Sequence, residues 1–190
     1  MLHSAQFIPL SVAESRNLTD FVKKKQAANA DLLSALFICK MKIVEHCGPL
    51  PAAAEAQVLA LYEAIFGEAP AEKVRTRLRE KPDLLTLIFE DDHARAVAYK
   101  VGYRQTADTF YSWIGGVLPE CRGQGLADRL MIRQHAWAAE RGYRYVETKT
   151  LNRWRKMLII NLKHGFDIVE TSPGNDGALR ILLRKNLLSG

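Results

Sequence analysis

The sequence predicts a mixed α/β domain, a twisted and largely antiparallel sheet flanked by helices. Two observations lead there. Residues 84–89, 94–103 and 109–118 are apolar-rich runs separated by short polar turns, the pattern of an antiparallel meander. After the third run come a glycine-containing loop, a long amphipathic helix pattern and a further strand. A helix between two strands makes them parallel neighbours.

Composition bounds the rest. With 190 residues, 48% hydrophobic and 25% charged, the chain is globular and large enough for one substantial core. No apolar run is long enough to span a bilayer, so no membrane partner is expected. Residues 1–25 lack the charged start, apolar stretch and cleavage site of a secretory signal. Cys39, Cys47 and Cys121 have neither metal spacing nor an even count. A cytoplasmic protein without a metal is the expectation. The net charge of +6 is spread along the chain. No basic stretch is interleaved with aromatics, which argues against a nucleic-acid partner.

Residues 1–40 read differently from the remainder. Residues 11–25 fit a short polar helix. Residues 29–39 fit a second, with Leu32, Leu33, Leu36 and Phe37 on one face. A helical extension, a dimer arm and an over-long translation start all fit this segment, and a homodimer is left open. Residues 41–190 form the predicted domain.

The domain opens on a short strand at residues 42–45. Pro49 and Pro51 break the chain before a helix at 52–66, whose apolar set is Val58, Leu59, Leu61, Tyr62 and Ile65. Gly67 stops it, Pro70 starts a second helix at 71–80, and Pro82 precedes the meander. Residues 90–93 form the first polar turn and 105–108 the second. In the third strand Gly115 and Gly116 stand where side chains would pack, which marks a bulge or a close backbone approach.

The main helix spans residues 124–141, with Leu126, Leu130, Met131, Gln134, Trp137 and Ala138 on one stripe. His135 lies beside that stripe and reads as packed and hydrogen-bonded. Gly142 ends the helix. A strand at 143–150 places Tyr145, Glu147 and Lys149 on one face. A helix at 152–164 follows, capped by Asn152 and closed by Gly165. A hairpin of strands at 166–171 and 178–183 ends the chain.

Residues 122–127 read Arg-Gly-Gln-Gly-Leu-Ala, between a strand end and a helix start. Backbone N–H groups in such a loop, with a helix N-terminus behind them, make an anion site. Asp128 stands where a dinucleotide fingerprint needs glycine, and no Lys-Ser/Thr pair follows as in a nucleotide-phosphate loop. A purely structural glycine turn stays open on the hexapeptide alone.

The pattern Arg122-x-x-Gly125-x-Ala127, after a strand ending Val117-Leu118-Pro119-Glu120, resembles the GNAT superfamily of N-acetyltransferases. So does the later Asn152 followed by a helix ending in Gly165-Phe166, and so does the element order over residues 41–190. The resemblance implies acetyl-CoA held between splayed parallel strands, here 109–118 and 143–150. Backbone groups of Gly116, Val117 and Leu118 would bond its pantetheine arm. Amides of Gly123, Gln124, Gly125, Leu126 and Ala127 would hold the pyrophosphate, with Arg122 beside them. Asn152 would bond the pantetheine arm, its capping role being the alternative.

The implied reaction is direct attack of a primary amine, on a small molecule or a protein, on the thioester in a ternary complex. An alkyl amine of pKa near ~10.4 must first lose a proton. Glu147 resembles the strand glutamate that serves as base in some members, often through water; structural pairing with an Arg or Lys is its alternative. Tyr111 is a weaker candidate. A bulged-strand amide, that of Val117, would donate to the oxyanion. The family's usual acid is a tyrosine four residues before the Gly of Gly-Phe, and here that position is Asn161. The helix from Asn152 to Gly165 is also longer than the common spacing. A non-catalytic acyl-CoA sensor is therefore the second reading.

Overall fold

The computed structural model describes residues 41–68, 72–174 and 177–188. The helices expected in residues 1–40 lie outside them, as do the roles weighed for that segment. In chain order the elements are β1 (Lys42–Cys47), α1 (Ala52–Phe66), α2 (Glu72–Glu80), β2 (Leu85–Glu90), β3 (Ala96–Arg104) and β4 (Thr109–Val117). A 3-10 turn at Pro119–Cys121 leads to α3 (Leu126–Glu140) and β5 (Tyr145–Leu151). A second 3-10 turn, Asn152–Trp154, leads to α4 (Arg155–Lys163), β6 (Asp167–Pro173) and β7 (Leu179–Asn186).

The strands make one seven-stranded sheet in the order β1-β2-β3-β4-β5-β7-β6. The β4–β5 pair is parallel and the other neighbours are antiparallel, as the meander and the helical crossover predict. The C-terminal hairpin folds back so that β7, not β6, adds to β5.

Each face of the sheet carries its own apolar layer. On β3 the pleat sends Tyr99, Val101 and Tyr103 towards α1 and α2, where Val58, Leu61, Val74 and Leu78 are buried with them. The opposite layer holds Phe110, Val146, Leu183 and the α3 residues Leu126, Leu130, Met131, Trp137 and Ala138. The α3 stripe expected from helical spacing is therefore buried along its length, Gln134 included. Met157, Leu158 and Ile160 of α4 pack against this same layer.

Two boundaries differ from expectation for local reasons. Ala94 does not belong to a strand: it sits at φ +58 in a turn whose Asp91 carboxylate accepts the His93 and Arg95 amides at 3.0 and 2.9 Å. Such an Asx turn delays β3 to Ala96. The last helix is not one continuous element from residue 152. Its first turn is 3-10 and makes no side-chain capping bond, so Asn152 does not cap it.

Candidate active site

A fork between two strands organises the site. β4 and β5 pair only from Thr109–Tyr111 to Tyr145–Glu147. Beyond that point β4 continues through Val117 on β3, and β5 continues through Leu151 on β7. Their facing edges diverge, and the backbone groups along them lack a strand partner across the gap.

The cause lies in β4. Its register against β3 shifts so that Val101 pairs with Ile114 while Gly102 pairs with Ser112, leaving Trp113 as an extra residue. A bulge bends and twists the strand that carries it. It was expected at Gly115–Gly116 and stands instead at Trp113. The glycines answer to the other expectation, close approach. A Cβ at Gly115 would stand 2.7 Å from the Tyr99 carbonyl oxygen, and one at Gly116 would stand 3.0 Å from the Ile65 side chain.

Tyr111 and Glu147 sit side by side at the last paired position, the apex. The half-buried Tyr111 hydroxyl accepts a hydrogen bond from the Lys149 amide, one step up the open arm of β5. Burial, reinforced by Tyr103, pushes its pKa up to about 12. A phenol in that state is neutral and cannot serve as a base near pH 7. Glu147 is buried, and its Oε1 accepts both Arg184 Nη2 at 2.6 Å and Arg184 Nε at 2.8 Å. Gln105 Nε2 donates to Oε2 at 3.1 Å. Pairing of Glu147 with an arginine is thus present, through a residue of β7 that no local pattern links to it. Above the apex, Arg77 of α2 lies 5.2 Å over the Trp113 ring.

The glycine loop stands at the open end. Cys121 N–H bonds the Leu118 carbonyl at 2.9 Å, closing the turn after β4. Gly123 and Gly125 follow at φ +81 and +73, backbone that L side chains resist. Gly125 is the N-cap of α3, and the first helical bond runs from Arg129 N–H to the Gly125 carbonyl at 3.1 Å. The amides before Arg129 have no helical acceptor and surround the positive end of the helix. Leu126 is buried in the α3 layer and pins this start to the sheet. Arg122 turns back, its Nε donating to the Val117 carbonyl at 3.1 Å. Leu118 is committed within the protein, its N–H to Val97 and its carbonyl to Cys121, and the Val117 carbonyl is taken by Arg122.

Asn152 is exposed at the end of the β5 arm, and Asn161 is buried on α4. His135 is packed as expected. Its Nδ1 lies 3.4 Å from Lys185 Nζ, while Nε2 is buried without a protein partner. Burial, then Lys185, Lys100 and His164, lower its pKa to about 3, so the ring is neutral. Among the described residues no cluster of His, Cys, Asp and Glu could hold a metal, and no helix is long and apolar enough to cross a membrane.

A family model for the acetyltransferase (GNAT) domain matches residues 52–150, from the start of α1 to the open arm of β5. The chain belongs to the GNAT acetyltransferase family. Solved structures carry the same fold. Ard1 from Thermoplasma volcanium superposes with TM-score 0.66 at 16% identity, covering 79% of this chain and 99% of its own. The ribosomal-protein-S18-alanine N-acetyltransferase from Escherichia coli gives 0.64 at 14%, covering 77% and 97%. A GCN5-related N-acetyltransferase from Kribbella flavida gives 0.61 at 15%, covering 77% and 98%. A search of curated proteins finds no match. In this GNAT domain the unpaired edge of β4, from Tyr111 to Val117, leads from the fork to the glycine loop.

Proposed function

We propose that this GNAT domain transfers an acetyl group from acetyl-CoA to a primary amine by direct attack in a ternary complex. One observation carries the reading: the fork between β4 and β5 opens towards a glycine loop at the N-terminus of α3. A thioester arm fits between diverging strand edges that offer free backbone groups, and a pyrophosphate fits the amides of Gly123 to Ala127. Asn152, at the tip of the β5 arm and free of a capping bond, is proposed to reach the pantetheine. Arg122 holds the strand end through Nε, and the rest of its guanidinium is proposed to stand beside the phosphates.

The bulge at Trp113 moves the proposed oxyanion donor. The amides beside the bulge, from Trp113 to Ile114, replace that of Val117, because the local break in the ladder lies there. Glu147 is proposed as the base. Its Oε2, held by Gln105 alone, is the oxygen left to take a proton through water. Tyr111 is proposed to hold the apex open through Lys149 rather than to move protons. No metal is needed for any of these steps.

Thermal-shift titration with acetyl-CoA tests donor binding. Ligand at 100 times its Kd stabilises the fold by about 2.7 kcal/mol, and no shift at saturating ligand would overturn the reading. Thiol release across a panel of amines then tests transfer. Binding with persistent silence would favour an acyl-CoA sensor, the reading that Asn161 in the usual acid position keeps alive.

A further inference from the structure

A set of buried polar side chains lies on the α3 face of the sheet, beside the fork. Lys100 of β3 is 7% exposed and pairs in register with Gly115. Gly115 has no side chain, and its ideal Cβ would stand 3.4 Å from Lys100 Cβ. The lysine stem therefore lies against β4, with nothing on Gly115 between it and the open edge of that strand. From above, α3 contributes Gln134, fully buried with neither amide atom partnered, and His135 with Nε2 unpartnered.

Lys100 and the neighbouring Lys185 are both cationic, and the Asp128 carboxylate beside them is taken by His164. Lys185 of β7 faces His135 at 3.4 Å, and His164 at the end of α4 is bonded to Asp128 at 2.7 Å. Among the described residues no carboxylate meets Lys100, and burial lowers its pKa to about 8. A buried cation with no anion is costly unless an anion arrives. Transfer of an acyl group from a thioester creates one, the thiolate. In the resemblance that thiolate is protonated from the last helix. That helix, α4, lies on the same face as Lys100, and its usual tyrosine is here Asn161, which cannot act as an acid.

We propose that Lys100 is the proton donor to the departing sulfur of coenzyme A, with Gln134 and His135 lining its position. The inference rests on the acetyl-transfer reading. The amine nitrogen bonds the thioester carbon, and the C–S bond breaks with its electron pair on sulfur. The proton moves from Lys100 Nζ to that sulfur. The proton shed by the amine, passed through the base and solvent, returns Lys100 to its ammonium form.

The test needs no acceptor. Free coenzyme A is bound to the wild type, to Lys100→Met and to Lys100→Arg, and its thiol is titrated by thiolate ultraviolet absorbance. The ammonium should lower the bound thiol pKa by about one unit in the wild type relative to Lys100→Met, a tenfold change in acidity. Lys100→Arg should keep part of that shift. Met replaces a buried cation with an apolar chain of similar length, so its melting temperature should not fall. With any amine the panel identifies, kcat of Lys100→Met should fall by about 100-fold or more, its high-pH limb should disappear, and donor affinity should hold. Coincident titrations in two CoA-binding proteins would overturn the role of Lys100 alone. Loss of CoA binding in a folded Lys100→Met would also overturn it, making Lys100 a binding residue. Failure of the wild type to bind CoA would remove the acetyl-CoA reading itself, and this proposal with it.

Discussion

The glycine loop and the buried polar set beside the fork are built in opposite ways. At the glycine loop, residues 122–127 are contiguous, with Arg122, Gly123 and Gly125 exposed, and offer backbone amides beside a helix start. On the α3 face of the sheet beside the fork, Lys100, Gln134 and His135 come from a strand and a helix far apart in sequence, are buried, and offer side chains. The loop can be occupied or empty at little cost because water reaches it. The buried set is held by the surrounding core, so each unpartnered group there weighs on stability as well as on chemistry. Binding of the donor should therefore be governed at the loop and proton movement at the fork.

Substitutions can break that division. The largest expected effect is at the loop. Gly125→Glu adds like charge at the proposed pyrophosphate site and forces a left-handed residue, a strain of about 1–2 kcal/mol. CoA affinity measured by calorimetry should fall by about 1,000-fold, roughly 4 kcal/mol, and Gly125→Ala should show only the strain. Unchanged affinity in a folded Gly125→Glu would remove the phosphate from this loop. Next is the apex. Glu147→Gln should lower turnover by about 100-fold while leaving CoA affinity intact, and equal loss of both would place Glu147 in binding instead.

The paired glycines separate close approach to backbone from close approach to a side chain. Gly115→Ala should destabilise by about 1–3 kcal/mol in urea, because its Cβ meets the Tyr99 carbonyl at 2.7 Å and backbone cannot yield. Gly116→Ala should cost less, about 1 kcal/mol, because it meets the Ile65 side chain at 3.0 Å rather than backbone. Asn152→Ala should leave stability unchanged, there being no capping bond to lose, and should weaken CoA by about tenfold, near 1.4 kcal/mol.

A further comparison concerns acid. His135 has a folded-state pKa of about 3 against about 6.5 unfolded, and it faces the cations Lys185 and Lys100 and the ring of His164. Between those values the unfolded chain binds the extra proton. Stability should be complete above pH ~6.5 and decline as pH falls towards 3. His135→Asn should flatten that slope, and an unchanged slope would assign it to other groups.

Much of the fold was legible because its signals are local. Turn residues mark the meander, helical spacing marks the buried stripe of α3, and the loop is one contiguous hexapeptide. Asn152 does not cap the helix because a 3-10 turn takes the place of a helical first turn. The bulge was misplaced because glycine signals missing side-chain volume, whereas the register shift at Trp113 depends on how β3 and β4 align across their whole length. Arg184 could not be foreseen opposite Glu147, since the hairpin had first to fold β7 inside β6.

The sequence by itself determined the fold class, the order of the elements and the backbone-built loop, because local propensity and spacing act between near neighbours. Only the tertiary structure decided that the fork opens at Tyr111 and Glu147, and that Lys100 lies buried beside it without a carboxylate. Those features arise from strand register and the packing of α3 on β3, where residues distant in the chain meet and water is excluded.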